Sequence, residues 1–189
     1  MVGIFSLWLP ILLAGVAVFL TSSVVHMLLP HHRKDFRRVP DEDGVMAALR
    51  RFDIPPGDYM TPCAEGDPAA MKTPEFKAKA EAGPIVVMTV MPKGSFSEGM
   101  GKTMVVWFLF CVLVSFFTAY AAELALAPGA HYMAVFRFTG TVAFGFYALG
   151  EWPRSIWYKA SWATTLKSTA DSFVYGLSTA GVFGWLWPA

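Results

Sequence analysis

The chain has 189 residues, of which 55% are hydrophobic and only 15% charged. An ordinary soluble domain carries about 25% charged residues, so the composition argues against that class. The formal net charge of +1 is uninformative about partners, and no basic, aromatic-interleaved surface pattern points to nucleic acid.

The charges are clustered. Three windows, Ile4–Leu29, Thr103–Ala122 and Ala134–Gly150, are nearly free of them, and a fourth, Ser172–Trp187, reaches full length if it starts near Ser168. About 20 apolar residues suffice for a helix to cross roughly 30 Å of hydrocarbon. The expected fold class is therefore an all-α membrane protein: four transmembrane helices with a small α/β cytoplasmic loop between helices 1 and 2. Residues 1–29 hold the first span and 30–102 the loop. Residues 103–189 hold spans two to four, with a Trp-rich interfacial segment at 151–167.

The first window is preceded by Met1-Val2-Gly3, which has no positive charge, and no small-x-small cleavage site follows it. It reads as an uncleaved anchor. Basic residues near span ends stay on the cytoplasmic side. Arg33, Lys34, Arg37, Arg38 and seven further Lys or Arg lie between Pro30 and Lys102, and Arg154, Lys159 and Lys167 lie between Glu151 and Lys167. The segment Glu123–His131 and the tail after Trp187 carry none. The expected topology puts both termini in the periplasm and the loop inside. Cys63 and Cys111 then fall in different compartments, which excludes a disulfide framework.

Within the loop, Asp41-Glu42-Asp43 precedes Val45, Leu49 and Phe52, the pattern of a short helix with acidic residues at its start. The run DIPPGDYMTP reads as a break. Thr73-Pro74-Glu75 is a helix start with Thr as cap and Pro at the first position, and Gly83 is its stop. PIVVMTVMP reads as a strand. The loop is too short to bury much core alone, so it is expected to lean on the membrane surface or a partner.

GSFSEGMGKT, residues 94 to 103, sits before a helix like a phosphate-binding loop. That loop needs a glycine five residues before Gly101, where this chain has Phe96, so the segment reads as a flexible link with Lys102 at the interface. His26 and His131 border spans at opposite membrane faces and cannot ligate one haem. His31-His32 reads as a solvated pair in a basic stretch. Met60, Met88, Met91, Met100 and Met104, with Cys63, offer the soft ligands that suit Cu(I), but without a Cys-x-x-Cys or a repeated Met motif they read as packing residues. No metal and no cofactor is expected. No nucleophile with a base, paired carboxylates or zinc spacing can be read, and a lipid-acting enzyme would have to draw acid–base chemistry from Glu151 or Asp171.

Ionisable groups at membrane depth are costly and point to function or to pairing. Glu123 ends the second span, and Arg137 lies about 9 Å beyond His131 along the third. Arg137 is expected to reach Glu123 as an interfacial ion pair. Lys167 and Asp171 lie four residues apart on one helix face, continued by Tyr175. Asp171 is expected one turn into a helix that begins near Ser168, where the helix dipole favours it, with Lys167 as its partner. Lys167, Asp171, Tyr175, Arg137 and Glu123 thus form the candidate polar binding site. Beside it, Ser168, Ser172, Gly176, Ala180 and Gly184 recur every four residues, the spacing that lets membrane helices approach closely. Gly140, Thr141 and Gly145 of the third span are the expected matching surface. Trp152, Trp157 and Trp162 read as an interfacial aromatic belt.

Taken together, RRFDIPPGDYMTPC, GPIVVMTVMPKG, GKTMVVWF, RFTGTVAFGFYALG and TTLKSTADSFVYGLSTAGVFGWLWP resemble an uncharacterised family of small four-span bacterial inner-membrane proteins. The resemblance covers most of the chain and implies a bacterial inner membrane, but no activity and no site residue. The expected function is that of a non-enzymatic accessory or interaction protein. Its partners are the lipid bilayer and another membrane protein or a second copy of itself. The alternative is an oligomeric small-solute or ion transporter or channel with its polar site around Lys167 and Asp171.

Overall fold

The computed structural model describes residues 2–94 and 99–189. It divides into two compact units, one from residues 1–37 and 99–189, the other from residues 38–98.

The first unit is built from helices α1 (Trp8–Leu28), α4 (Met100–Ala125), α5 (Tyr132–Ala148), α6 (Trp152–Tyr158) and α7 (Trp162–Leu186); α2 and α3 belong to the second unit. Among the described residues three stretches are long and apolar enough to cross a membrane: Ile4–Leu28, Met100–Ala125 and Tyr132–Tyr158. The sequence led to an expectation of four. The helix α7 is as long as the others, with 25 residues, but it begins at Trp162 rather than near Ser168. Its first half therefore includes Thr164, Thr165, Lys167, Ser168, Thr169, Asp171 and Ser172, which lower its mean hydropathy. The Trp-rich segment is itself mostly helical. Trp152 donates to the Thr169 hydroxyl at 3.1 Å, and the Ser155 and Thr165 hydroxyls meet at 2.6 Å, so part of the expected interfacial belt is packed onto α7, while Trp157 stays exposed.

Small residues make up most of the interior of this unit, with Leu7, Tyr147, Tyr175 and Phe183 the large side chains among them, and many large apolar residues lie outside. Ala14, Ser22, Ser115, Thr118, Ala119, Ala122, Thr139, Ala143, Thr179 and Ala180 are buried, whereas Leu20, Leu109, Leu113, Phe117 and Phe173 are exposed. That is the arrangement expected where lipid-like surroundings give no drive to hide apolar bulk, and association depends on close backbone approach. Three of the buried hydroxyls are satisfied within their own helices: Ser115 donates to the Cys111 carbonyl at 2.9 Å, Thr118 to Val114 at 2.8 Å and Thr139 to Val135 at 2.8 Å. α5 and α7 share the most extensive interface, and α1 packs against both α4 and α7.

The second unit holds α2 (Glu42–Arg50), strand β1 (Gly57–Thr61), α3 (Pro74–Ala82) and strand β2 (Val86–Val90). The Asp41 carboxylate accepts from the Gly44 N–H at 3.2 Å, and Thr73 Oγ1 accepts from the Phe76 N–H at 3.2 Å. Gly83 ends α3 with φ of 61°, a left-handed value that costs other residues a Cβ clash. The run DIPPGDYMTP, expected only as a break, also contains β1, which pairs antiparallel with β2. Local pattern hid it because a ladder with a strand some thirty residues away stabilises it, helped by the cross-strand bond from Thr89 Oγ1 to Asp58 Oδ1 at 2.6 Å. None of the described residues from 38 to 94 is buried. Met60, Met91, Met100 and Met104 are also exposed, so these methionines do not fill core gaps as expected.

Candidate functional site

After α1 ends at Leu28, Pro30–His32 forms a short 3-10 turn. The Arg33 N–H donates to the Pro30 carbonyl at 3.1 Å, and the Asp35 N–H to the His32 carbonyl at 3.1 Å. This bend brings His31, His32 and Asp35 against the side of α7 that carries Lys167 and Asp171, one turn apart.

The five side chains form one network. Lys167 Nζ donates to Asp35 Oδ1 and to the His31 carbonyl, both at 2.7 Å. Asp35 Oδ2 lies 2.5 Å from His32 Nδ1. The other ring nitrogen, His32 Nε2, is 2.6 Å from Asp171 Oδ2, and His31 Nε2 is 3.1 Å from Asp171 Oδ1. The side chains of Asp35 and Asp171 are 8% and 11% exposed and that of His32 17%, so water screens these contacts weakly. Burial disfavours a charged His32, but its hydrogen bonds to Asp35 and Asp171 outweigh that and raise its pKa. Asp35 is held below the usual carboxylate range, first by the bond from Lys167 and then by that from His32.

Lys167 is not the partner of Asp171: it bonds to Asp35, while Asp171 takes both histidines. Nor are His31 and His32 a solvated pair. Because α7 begins at Trp162, Asp171 lies too far along the helix for the dipole to stabilise it, an effect confined to the first turn. The imidazoles take that role. Tyr175 joins at the edge, its hydroxyl 3.3 Å from His26 Nε2, and the His26 ring lies 4.8 Å from that of His32.

A cavity of about 340 Å³ adjoins the network, lined by His26, Trp107, Tyr147, Glu151, Asp171 and Tyr175 among others. The buried Tyr147 hydroxyl has no hydrogen-bond partner among the described residues.

Arg137 and Glu123 are not brought into this site. Among the described residues no ion pair joins them. Arg137 is exposed and lines a separate groove with Gly140, Thr141, Phe144, Phe173 and Gly176. Its position on α5 turns it toward α7 and away from the end of α4. His131 caps α5, its Nδ1 accepting from the Met133 N–H at 3.2 Å.

The small-residue stripe lies against α5. A Cβ on Gly176 would stand 2.9 Å from the Gly140 carbonyl oxygen, one on Gly140 3.0 Å from the Ala180 Cβ, and one on Gly184 2.7 Å from the Tyr132 ring. Ser172 is buried, while Ser168 lines the cavity beside Asp171. Gly145 does not belong to this surface: a Cβ there would meet only Leu149 of its own chain segment, at 4.0 Å. The phosphate-loop comparison falls partly outside the described residues, which omit 95–98, Phe96 among them.

Sequence reasoning missed His31, His32 and Asp35. The available signal was the run PHHRKD directly after the first span, with His32 and Asp35 three residues apart and on the same expected membrane face as Asp171. Comparison with family models, with curated proteins and with solved structures finds no match to this chain.

Proposed function

We propose that the chain is a four-span protein of a bacterial inner membrane, acting as a non-enzymatic accessory protein that binds or supports other membrane components. Both termini lie outside and residues 38–98 lie on the cytoplasmic side, in accord with the bias of Lys and Arg between the spans. The fourth crossing is α7: its 25 residues reach about 38 Å as a helix. Its charged groups turn to His31, His32 and Asp35 rather than to lipid, the condition under which membranes tolerate them.

The observation that carries the accessory reading is a polar network closed on itself. Lys167, Asp35, His32, Asp171 and His31 bond to one another, and the cavity beside them shares no lining residue with the Arg137 groove. A conduction path across the membrane would need such continuity. The second unit, with no buried residue among those described, adds a reason to seek a surface for it, whether the bilayer, another membrane protein or a second copy.

Mass measurement of the chain extracted from native membranes tests this. A stable partner or homo-oligomer is expected, and a lone monomer with nothing bound would overturn it. The topology is testable separately, because Cys63 is exposed and Cys111 buried. A membrane-impermeant thiol reagent should label Cys63 in inside-out vesicles only. The transport reading draws on one observation, the unpartnered Tyr147 hydroxyl in the cavity over Asp171. Solute or ion flux in proteoliposomes, abolished by Asp171→Asn, would favour it instead.

A further inference from the structure

We propose that His31, His32 and Asp171 bind a divalent first-row transition-metal ion, with Zn²⁺ the best match by ligand type. Asp35 holds His32 from behind, and Lys167 fixes Asp35. This site stands independently of the accessory reading above.

Two imidazoles from consecutive residues turn their Nε2 atoms to the two oxygens of one carboxylate on α7, 139 and 140 residues further along the chain. The three ligating atoms all lie within 4.8 Å of one another. Four-coordinate Zn²⁺ with bonds of about 2.0–2.2 Å keeps its ligand atoms roughly 3.3 Å apart. The spacings of 3.1 and 2.6 Å to the two Asp171 oxygens would widen by about 0.2 and 0.7 Å to reach that separation. Two histidines and one carboxylate also leave a position open for water or another ligand, as in zinc sites with three protein ligands.

His32 Nδ1 faces Asp35 at 2.5 Å. A carboxylate accepts, so Nδ1 carries a proton. In the neutral ring Nε2 then presents a lone pair, and it points at an oxygen of the second carboxylate, Asp171, at 2.6 Å. Two acceptors at that distance require a cation between them. A proton fills the place by making an imidazolium between two carboxylates. A divalent ion fills it for His32, His31 and Asp171 together. Asp35, Asp171 and Lys167 leave one net negative charge when both imidazoles are neutral.

Metal-binding histidines generally donate their other ring N–H to a carboxylate, which fixes the tautomer and aims the free nitrogen. Asp35 stands in that relation to His32, and Lys167 holds Asp35 in turn at 2.7 Å. Asp35 and Lys167 are positioning residues, not ligands.

The test uses the full-length chain in detergent, with Cys63→Ser to remove the exposed thiol, stripped by chelator and titrated with Co²⁺ and then Zn²⁺. The expected result is one Co²⁺ per chain, with the strong visible absorption of a four-coordinate site, displaced by Zn²⁺. His31→Ala should lose the absorption, and Asp35→Asn should weaken binding about 10- to 100-fold while leaving the spectrum in place. Because removing Asp171 threatens folding, a second measurement needs no change at the site. Zn²⁺ should protect His31 and His32 from diethyl pyrocarbonate, read by mass spectrometry, while His131 stays reactive. Absence of Co²⁺ absorption at millimolar ion, absorption that survives a His31→Ala/His32→Ala double variant, or no protection of either histidine would each overturn the assignment and leave a protonated ion-pair cluster.

Discussion

The two halves of α7 solve the same packing problem by opposite means. From Trp162 to Ser172 the helix meets its neighbours through polar contacts: Lys167 and Asp171 reach Asp35, His31 and His32, and Thr165 and Thr169 meet Ser155 and Trp152. From Gly176 onward the face turned to α5 has little side chain to offer, and backbone meets backbone across Gly140, while Phe183 fills the core on another side. The first half depends on charge pairing among groups held largely out of water, where an unmatched partner is expensive. The second depends on the absence of atoms. One half is therefore sensitive to deletion and the other to addition.

Substitutions along α7 and α5 separate these modes, with stability read in detergent from the heat-induced reactivity of the buried thiol Cys111 in a Cys63→Ser background. Asp171→Ala should have the largest effect, about 3 kcal/mol of destabilisation, because it leaves two imidazoles without their shared carboxylate. A cost near zero would mean that the network is decorative. Gly176→Val should follow at about 2 kcal/mol, the scale of overpacking. Its new Cβ would meet the Gly140 carbonyl and the Phe144 backbone, neither of which can swing aside. Gly184→Ala should cost less, below about 1 kcal/mol. The Cβ there meets the ring of Tyr132, a half-exposed side chain free to rotate. Gly145→Ala should not destabilise and should gain up to about 1 kcal/mol in helix propensity, since the added methyl finds open space. A destabilisation at Gly145 as large as that at Gly176 would show that the close approach at Gly140 does not set the cost.

A similar contrast separates what was legible in the sequence from what was not. The three helices long and apolar enough to cross a membrane follow from windows nearly free of charge, and the caps at Asp41 and Thr73 and the stop at Gly83 follow from residue types at fixed offsets. The α7 stripe was visible as a four-residue repeat. Its mate was only half legible: Gly140 and Gly145 look alike in sequence, but helical phase puts one against α7 and the other away from it. The pairing of Glu123 with Arg137 failed for the same reason. Proximity along a short hairpin does not fix the direction in which each side chain leaves its helix.

The sequence by itself determined that this chain forms long apolar helices with charges gathered at their ends, because length, hydropathy and capping act between neighbours in the chain. Only the tertiary structure decided the partners. Asp171 meets His31 and His32, Lys167 meets Asp35, and β1 finds β2. These contacts join segments some thirty to 140 residues apart. They depend on where a 3-10 turn after α1 aims two imidazoles and on a helix that starts six residues earlier than its hydropathy suggests, and neither is written in any local pattern.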